Sequence, residues 1–282
     1  MKRLKHYDKG PGIIMSVFGS SENSAMELYL QLFEEVKQEL SDITEIKIAV
    51  SSRTVLKKLE KQGNYYYTLP EQLAYFDRKG YKKVIVCSVN LFPTEEHEYV
   101  LQITDAFRKI ISCAEYELTS PLFTTAKTTN NYLNSLNNRL RKEYNIANIL
   151  YVAHGAKNLN STGSQTYTYV RDYLNLLNPR NFFRTLEGSF AYNKELVAEE
   201  IKRENNHSGH NGNVLIVPLL LGTGNHSKND IQEIKNELNE YYNIVKVPEN
   251  FFSQGDFCLL KLEETRNYFK EEIKNALERI LW

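Results

Sequence analysis

Two histidines and a glutamate stand where apolar runs end. Residues 149–153 read as a buried strand that runs into His154 and stops at Gly155. Residues 182–186 lead to Glu187 and Gly188, and residues 214–221 lead through a Gly-Thr-Gly-Asn stretch to His226. In an open parallel α/β sheet the carboxyl ends of the strands face one crevice, and ligands bind there. Three strand ends would bring the three side chains toward a common place. Two imidazoles and a carboxylate suit a first-row divalent metal with coordination positions left open. Each residue also has a structural alternative. A lone strand-end histidine such as His154 is more often a hydrogen-bonded structural residue than a ligand, Glu187 has the alternative of a helix N-terminal charge favoured by the dipole, and His226 that of a cap of the helix that follows it.

The elements that must position them alternate along the chain. Apolar runs at 13–18, 46–50, 83–90 and 115–119 are predicted strands. Helical periodicity after the Ser24/Glu27 capping-box pattern, around Val55 to Leu59, from Pro70 to Gly80 and over 95–111 supplies the helices between them. Pro121 marks a boundary. The plan then repeats: a helix over 130–143, the His154 strand, a polar loop at 158–164, a helix over 165–177, the Glu187 strand and a helix over 194–203. The His226 strand, a helix over 230–241 and a strand over 244–247 follow. The tract 205–213 holds only Asn, His, Ser and Gly and is predicted to be a surface loop. Strands alternating with helices mean βαβ units and parallel sheets. The predicted fold is α/β, with two similar lobes, each a mainly parallel sheet flanked by helices, and a cleft between them. The lobes are 1–121 and 122–262, the second carrying the metal ligands. An amphipathic helix at 263–282, striped by Phe269, Ile273, Leu277 and Ile280, packs across them.

Composition narrows the classes of function. The chain has 282 residues, enough for one large or two modest domains. Its 35 basic and 35 acidic residues balance, which argues against a polycationic nucleic-acid-binding surface. No stretch approaches the roughly 20 apolar residues of a membrane span. The run at 13–18 is too short for the apolar core of a secretory signal. Cys87, Cys113 and Cys258 have no paired spacing, so neither a disulfide framework nor a four-cysteine zinc site is expected. A reduced cytoplasm is the expected compartment. There is no glycine-rich phosphate loop, so no nucleotide cofactor is expected.

With these motifs in order, a family comes into view. Ser16-Val-Phe-Gly-Ser-Ser21, Ser51-Ser-Arg-Thr-Val-Leu, Leu69-Pro-Glu-Gln-Leu, Glu96 after the third strand, His154-Gly-Ala, Leu186-Glu-Gly and Pro218-Leu-Leu-Leu-Gly-Thr-Gly-Asn-His226 follow one another over nearly the whole chain. In this order the chain resembles the anaerobic sirohydrochlorin cobaltochelatases of the CbiK type, in the class II chelatase group. The resemblance implies insertion of cobalt(II) into sirohydrochlorin, or its reduced precorrin form, in cobalamin biosynthesis. It implies His154, Glu187 and His226 as metal ligands, with His154 also taking a proton. The family also has an acid where Glu96 stands, which suggests a second proton acceptor. The divalent metal is a substrate, cobalt first among the candidates. The partner is an acidic tetrapyrrole, whose carboxylates Arg53 and Lys57 could meet; a homo-oligomer fits as well. Asn90 stands where the family usually has histidine, Asn225 where an acid commonly precedes the second ligand, and 205–213 looks like an insertion.

Inserting a metal requires removal of two pyrrole protons and bending of a flat ring. A neutral imidazole, with an ordinary pKa of about 6.5, can hold metal and accept protons. Three further readings are carried forward: a chelatase for iron or nickel, a non-catalytic tetrapyrrole- or metal-binding protein, and a metal-dependent hydrolase with water in the open position. His207 and His210, spaced i, i+3, form a possible metal pair in the polar tract. His97 and His6 are expected to be exposed.

Overall fold

β1 (Lys9–Val17) lies between two parallel neighbours, and every residue from Gly12 to Val17 is buried. Such unbroken burial needs cover on both faces, which is the signature of a parallel α/β sheet. The computed structural model describes residues 3–42, 44–109, 114–158, 160–208, 212–222, 224–242, 245–248 and 257–281. They divide into two compact units, 1–122 with 262–282, and 123–261.

In the first unit β1 leads through α1 (Asn23–Leu40) to β2 (Glu45–Val50). Two helices, α2 (Arg53–Lys61) and α3 (Leu69–Lys79), then lead to β3 (Tyr81–Val89), and α4 (Glu95–Lys109) leads to β4 (Glu115–Leu118). The strand order is β2-β1-β3-β4, all parallel. α3 begins with a full capping box, in which Thr68 and Glu71 satisfy each other's backbone donors. It buries Leu69, Leu73 and Phe76 against Ile14, Val84 and Val86.

The second unit repeats this arrangement. α5 (Ala126–Tyr144) precedes β5 (Asn148–Ala153), followed by α6 (Gln165–Leu177), β6 (Asn181–Thr185), α7 (Lys194–Ser208), β7 (Val214–Leu219), α8 (Asn225–Leu238) and β8 (Val245–Lys246). The strand order is β6-β5-β7-β8. Leu150, Val152, Val214 and Ile216 pack against Val197, Ile201, Ile231, Ile234 and Leu238. In both sheets the chain winds first to one side of its opening strand and then to the other. That places a switch point between β1 and β3, and another between β5 and β7, where the carboxyl ends leave a crevice.

The chain closes with α9 (Glu263–Leu281), which returns to the first unit and lies against β3. Phe269, Ile273 and Ala276 are fully buried there. Arg266 reaches Glu35 at 2.8 Å, and Lys270 and Lys274 each reach Glu39 at 3.0 Å.

Several expectations need correction. α7 continues to Ser208, so Asn205 is helical and buried, not part of a surface loop. Residues 209–211, with His210, lie outside the described residues, as does Cys113. α5 starts at Ala126, capped by the Thr125 hydroxyl, which accepts from the Thr128 N–H at 3.2 Å. α8 starts at Asn225, which puts His226 in a helical first turn. Cys87 and Cys258 are buried, and burial pushes the Cys87 thiol up to about 12. It is therefore inert as a nucleophile at neutral pH.

Candidate metal centre

β5 ends at Ala153 and β6 at Thr185, yet their backbones stay paired beyond these ends. The Leu186 N–H donates to the Ala153 carbonyl at 2.9 Å, and the Glu187 N–H to the His154 carbonyl at 3.0 Å. His154 and Glu187 are thus held side by side just past the carboxyl edge of the sheet. Two glycines make the crossing possible. Gly155 has φ +92°, and a Cβ there would stand 1.9 Å from the Glu187 carbonyl oxygen. Gly188 has φ +76°, and its Cβ would stand 1.9 Å from the Ala156 oxygen.

The turn that carries Glu187 is closed from below. The Thr185 hydroxyl donates to the Ser189 carbonyl, and the Thr185 N–H donates to the Phe190 carbonyl at 3.0 Å. Phe190 adopts φ +63°, a conformation that costs a side-chain-bearing residue energy and persists only where its surroundings impose it. Its ring lies 4.5 Å beneath the Arg171 guanidinium and edge-on to Phe183.

Within this frame His154 Nδ1 lies 3.5 Å from Glu187 Oε1, and Lys157 Nζ lies 3.2 Å from Glu187 Oε2. The His154 side chain is 61% exposed, Lys157 78% and Glu187 30%. An accessible imidazole beside a half-buried carboxylate can both ligate a cation and accept a proton. The backbone of His226 lies in the first turn of α8, directly downstream of β7, the strand next to β5. Among the described side chains no three His, Cys, Asp or Glu are gathered as a metal-binding group; the His226 side chain is not among those described.

The other predicted site residues belong to the first unit. Glu96 is half-buried in the first turn of α4, with Glu95 and Glu98 beside it, where the helix dipole favours acids. Arg53 opens α2 and is exposed, as is Lys57 one turn later. His97 is not the exposed residue expected. Its Nδ1 lies 2.8 Å from the buried Ser88 hydroxyl, which also accepts from the Asn90 amide at 2.9 Å. Burial holds the His97 pKa below the usual imidazole value, against the pull of Glu98. Aromatic side chains stand open at this unit's carboxyl edge. Phe18 follows β1, and the Tyr67 carbonyl takes the Val50 N–H at the end of β2, with Tyr65 and Tyr67 both exposed. Lys157, the Ser88–His97 pair and these aromatics were missed in the sequence, though a lysine three residues after a strand-end histidine was a usable signal for the first.

Comparison with known proteins sets this geometry in context. The profile of the cobalt chelatase family CbiK matches residues 11–278. The chain belongs to the CbiK cobalt chelatase family. It is by that membership a metal chelatase acting on a tetrapyrrole. A search of the curated proteins finds no match by sequence. Among solved structures, the chelatase is similar to SirB from Bacillus subtilis with Fe3+, at a TM-score of 0.64 and 14% identity over 96% of each chain. It is also similar to SirB from Bacillus subtilis subspecies spizizenii in complex with cobalt, at 0.59 and 14% over 96% of each. CbiX, described as the terminal enzyme of siroheme biosynthesis in denitrifying bacteria, follows at 0.54 and 11%, over 95% of this chain and 99% of that one. At such identities the likeness speaks for the fold. Among the described residues no helix is long and apolar enough to cross a membrane.

Proposed function

We propose that this chelatase inserts cobalt(II) into sirohydrochlorin, or its reduced precorrin form, as a step of anaerobic cobalamin synthesis in the cytoplasm. The observation that carries the reading is the His154–Glu187 pair, held past the carboxyl edge of the sheet in a chain of the cobalt chelatase family.

On this reading His154, Glu187 and His226 hold the incoming metal. An imidazole–carboxylate set binds a divalent ion without enclosing it, so the ion can pass to the four nitrogens of the ring. The Glu187 carboxylate offsets part of the ion's charge. Two pyrrole protons must leave as the metal enters. His154 takes one as its bond to the metal loosens, and Glu96 takes part in the same transfer. Arg53 and Lys57 pair with the peripheral carboxylates of the tetrapyrrole. The exposed Phe18, Tyr65 and Tyr67 offer apolar faces on which a flat macrocycle can stack.

Purified protein should be mixed anaerobically with sirohydrochlorin and cobalt(II), iron(II), nickel(II) or zinc(II) in turn. The expected result is a change in the tetrapyrrole absorbance, fastest with cobalt, well above the rate without protein. No acceleration with any metal would sink the proposal. Iron is the second candidate, because the structure of SirB with Fe3+ shares this fold.

A further inference from the structure

We propose that Lys157 changes partners during turnover. It neutralises Glu187 while the site is empty, and it binds a carboxylate of the tetrapyrrole once Glu187 has taken the metal. This rests on the reading of His154 and Glu187 as metal ligands.

One carboxylate is shared between two neighbours. Its Oε1 faces His154 Nδ1 at 3.5 Å, and its Oε2 faces Lys157 Nζ at 3.2 Å. The two sides of the lysine pair differ in freedom. Glu187 is fixed by its own N–H on the His154 carbonyl and by the closed turn below it, and its side chain is 30% exposed. The Lys157 side chain is 78% exposed, on a flexible four-carbon stem. The ammonium is therefore the partner that moves. Exposed pairs of this kind are held weakly, so an incoming cation displaces the lysine at little cost.

A divalent ion on Glu187 places two positive charges where the lysine had found a negative one. The ammonium is then repelled from the site and needs a new anion. The substrate supplies one, since an acidic tetrapyrrole carries carboxylates around its rim. Metal and tetrapyrrole thereby help each other bind, and linkage makes that help reciprocal. A lysine serves this better than an arginine clamp would, because it binds as a point charge and releases readily.

The test is Lys157→Met, with Lys157→Arg and Glu187→Gln beside it. Cobalt affinity is measured by calorimetry without tetrapyrrole, and KM for sirohydrochlorin by absorbance. Removing the competing ammonium should tighten cobalt binding by about two- to fivefold, while KM rises by about tenfold. Lys157→Arg should bring KM back to within about threefold of the parent. Opposite movement of the two constants is not what a merely structural residue would give. Cobalt affinity unchanged or weaker in Lys157→Met, or an unmoved KM, would overturn the proposal. If Glu187→Gln leaves cobalt affinity intact, the metal-ligand reading itself falls and takes this one with it. If Glu187→Gln weakens cobalt binding while Lys157→Met moves neither constant, only the role of Lys157 falls.

Discussion

The Glu187 N–H donates to the His154 carbonyl at 3.0 Å, while the side chains of the same two residues meet at 3.5 Å. The pair is thus tied through the main chain, and the side chains inherit their spacing from it. Preorganisation of this sort would keep an ion bound by the proposed pair near one geometry without a tight cage.

His154→Ala and Glu187→Gln should each leave a folded protein, since the His154 side chain is 61% exposed and Glu187→Gln changes no volume. Loss of an outer partner at a metal site typically costs roughly 10–100-fold in affinity, so loss of a ligand should cost at least about that. Calorimetry with cobalt(II) and the chelation assay check this, with circular dichroism as the control for folding. Full chelation in either variant would remove that residue from the site.

Gly155→Ala should damage both stability and the metal site. The new Cβ would stand 1.9 Å from the Glu187 oxygen at φ +92°. Left-handed strain alone costs roughly 1–3 kcal/mol. At about 2–4 °C per kcal/mol in a chain of this size, the melting temperature should drop by at least about 2 °C. Cobalt affinity should fall with it, because the clash pushes on Glu187. Gly63→Ala is the comparison, for its φ is +83° but nothing lies within 4 Å of the added methyl. That variant should lose less stability and bind cobalt as the parent does. Equal losses in both would show that the crossing of the two turns is not tightly packed.

His97 should make the fold sensitive to mild acid. Burial depresses its pKa in the folded state, so below about pH 6.5 the unfolded chain binds a proton that the folded chain does not. Stability is then fully present above the unfolded value and is lost as pH falls toward the folded one. Melting curves from pH 8 to 5 should show this slope, and His97→Gln should flatten it. An unchanged slope in His97→Gln would mean the imidazole is not buried in solution as it is here.

His207 and His210 should not matter to the metal. α7 leads into the amino end of β7, whereas His154 and Glu187 lie past the carboxyl ends of β5 and β6. The double alanine variant should bind cobalt within about twofold of the parent, a difference of under roughly 0.5 kcal/mol. A tenfold loss by calorimetry would make these histidines ligands.

Much of the architecture was written in local pattern. Unbroken apolar runs such as Ile149 to Val152 announce strands buried on both faces, and the alternation with amphipathic helices announces parallel sheets. His154 could be picked out because it follows such a run and precedes a glycine, and Glu187 because it ends the strand-like stretch 182–186 and precedes a glycine. The rest depended on neighbours distant in sequence. Nothing local says that the β5 and β6 turns cross, so the position of Lys157 after His154 did not reveal that it pairs with Glu187. His97, flanked by Glu95, Glu96 and Glu98, looked like part of a solvated helix face, until β3 placed the Ser88 hydroxyl against its ring nitrogen. Asn205 lacks any helical preference, yet tertiary burial carries α7 through it to Ser208. His226 was expected at a strand end, but β7 stops at Leu219 and α8 begins before it.

The return of α9 to the first unit also sets an order on the ribosome. Residues 123–261 form one continuous unit, whereas the first unit lacks Phe269 and Ile273 until the last stretch is translated. At about 5–20 residues per second, the groove beside β3 waits roughly 10–30 s with its apolar floor uncovered. The half made first is therefore the half finished last. During that wait the nascent chain presents a surface suited to a holding chaperone, and stalled chains ending near residue 262 should be cut by protease within the first unit before the second.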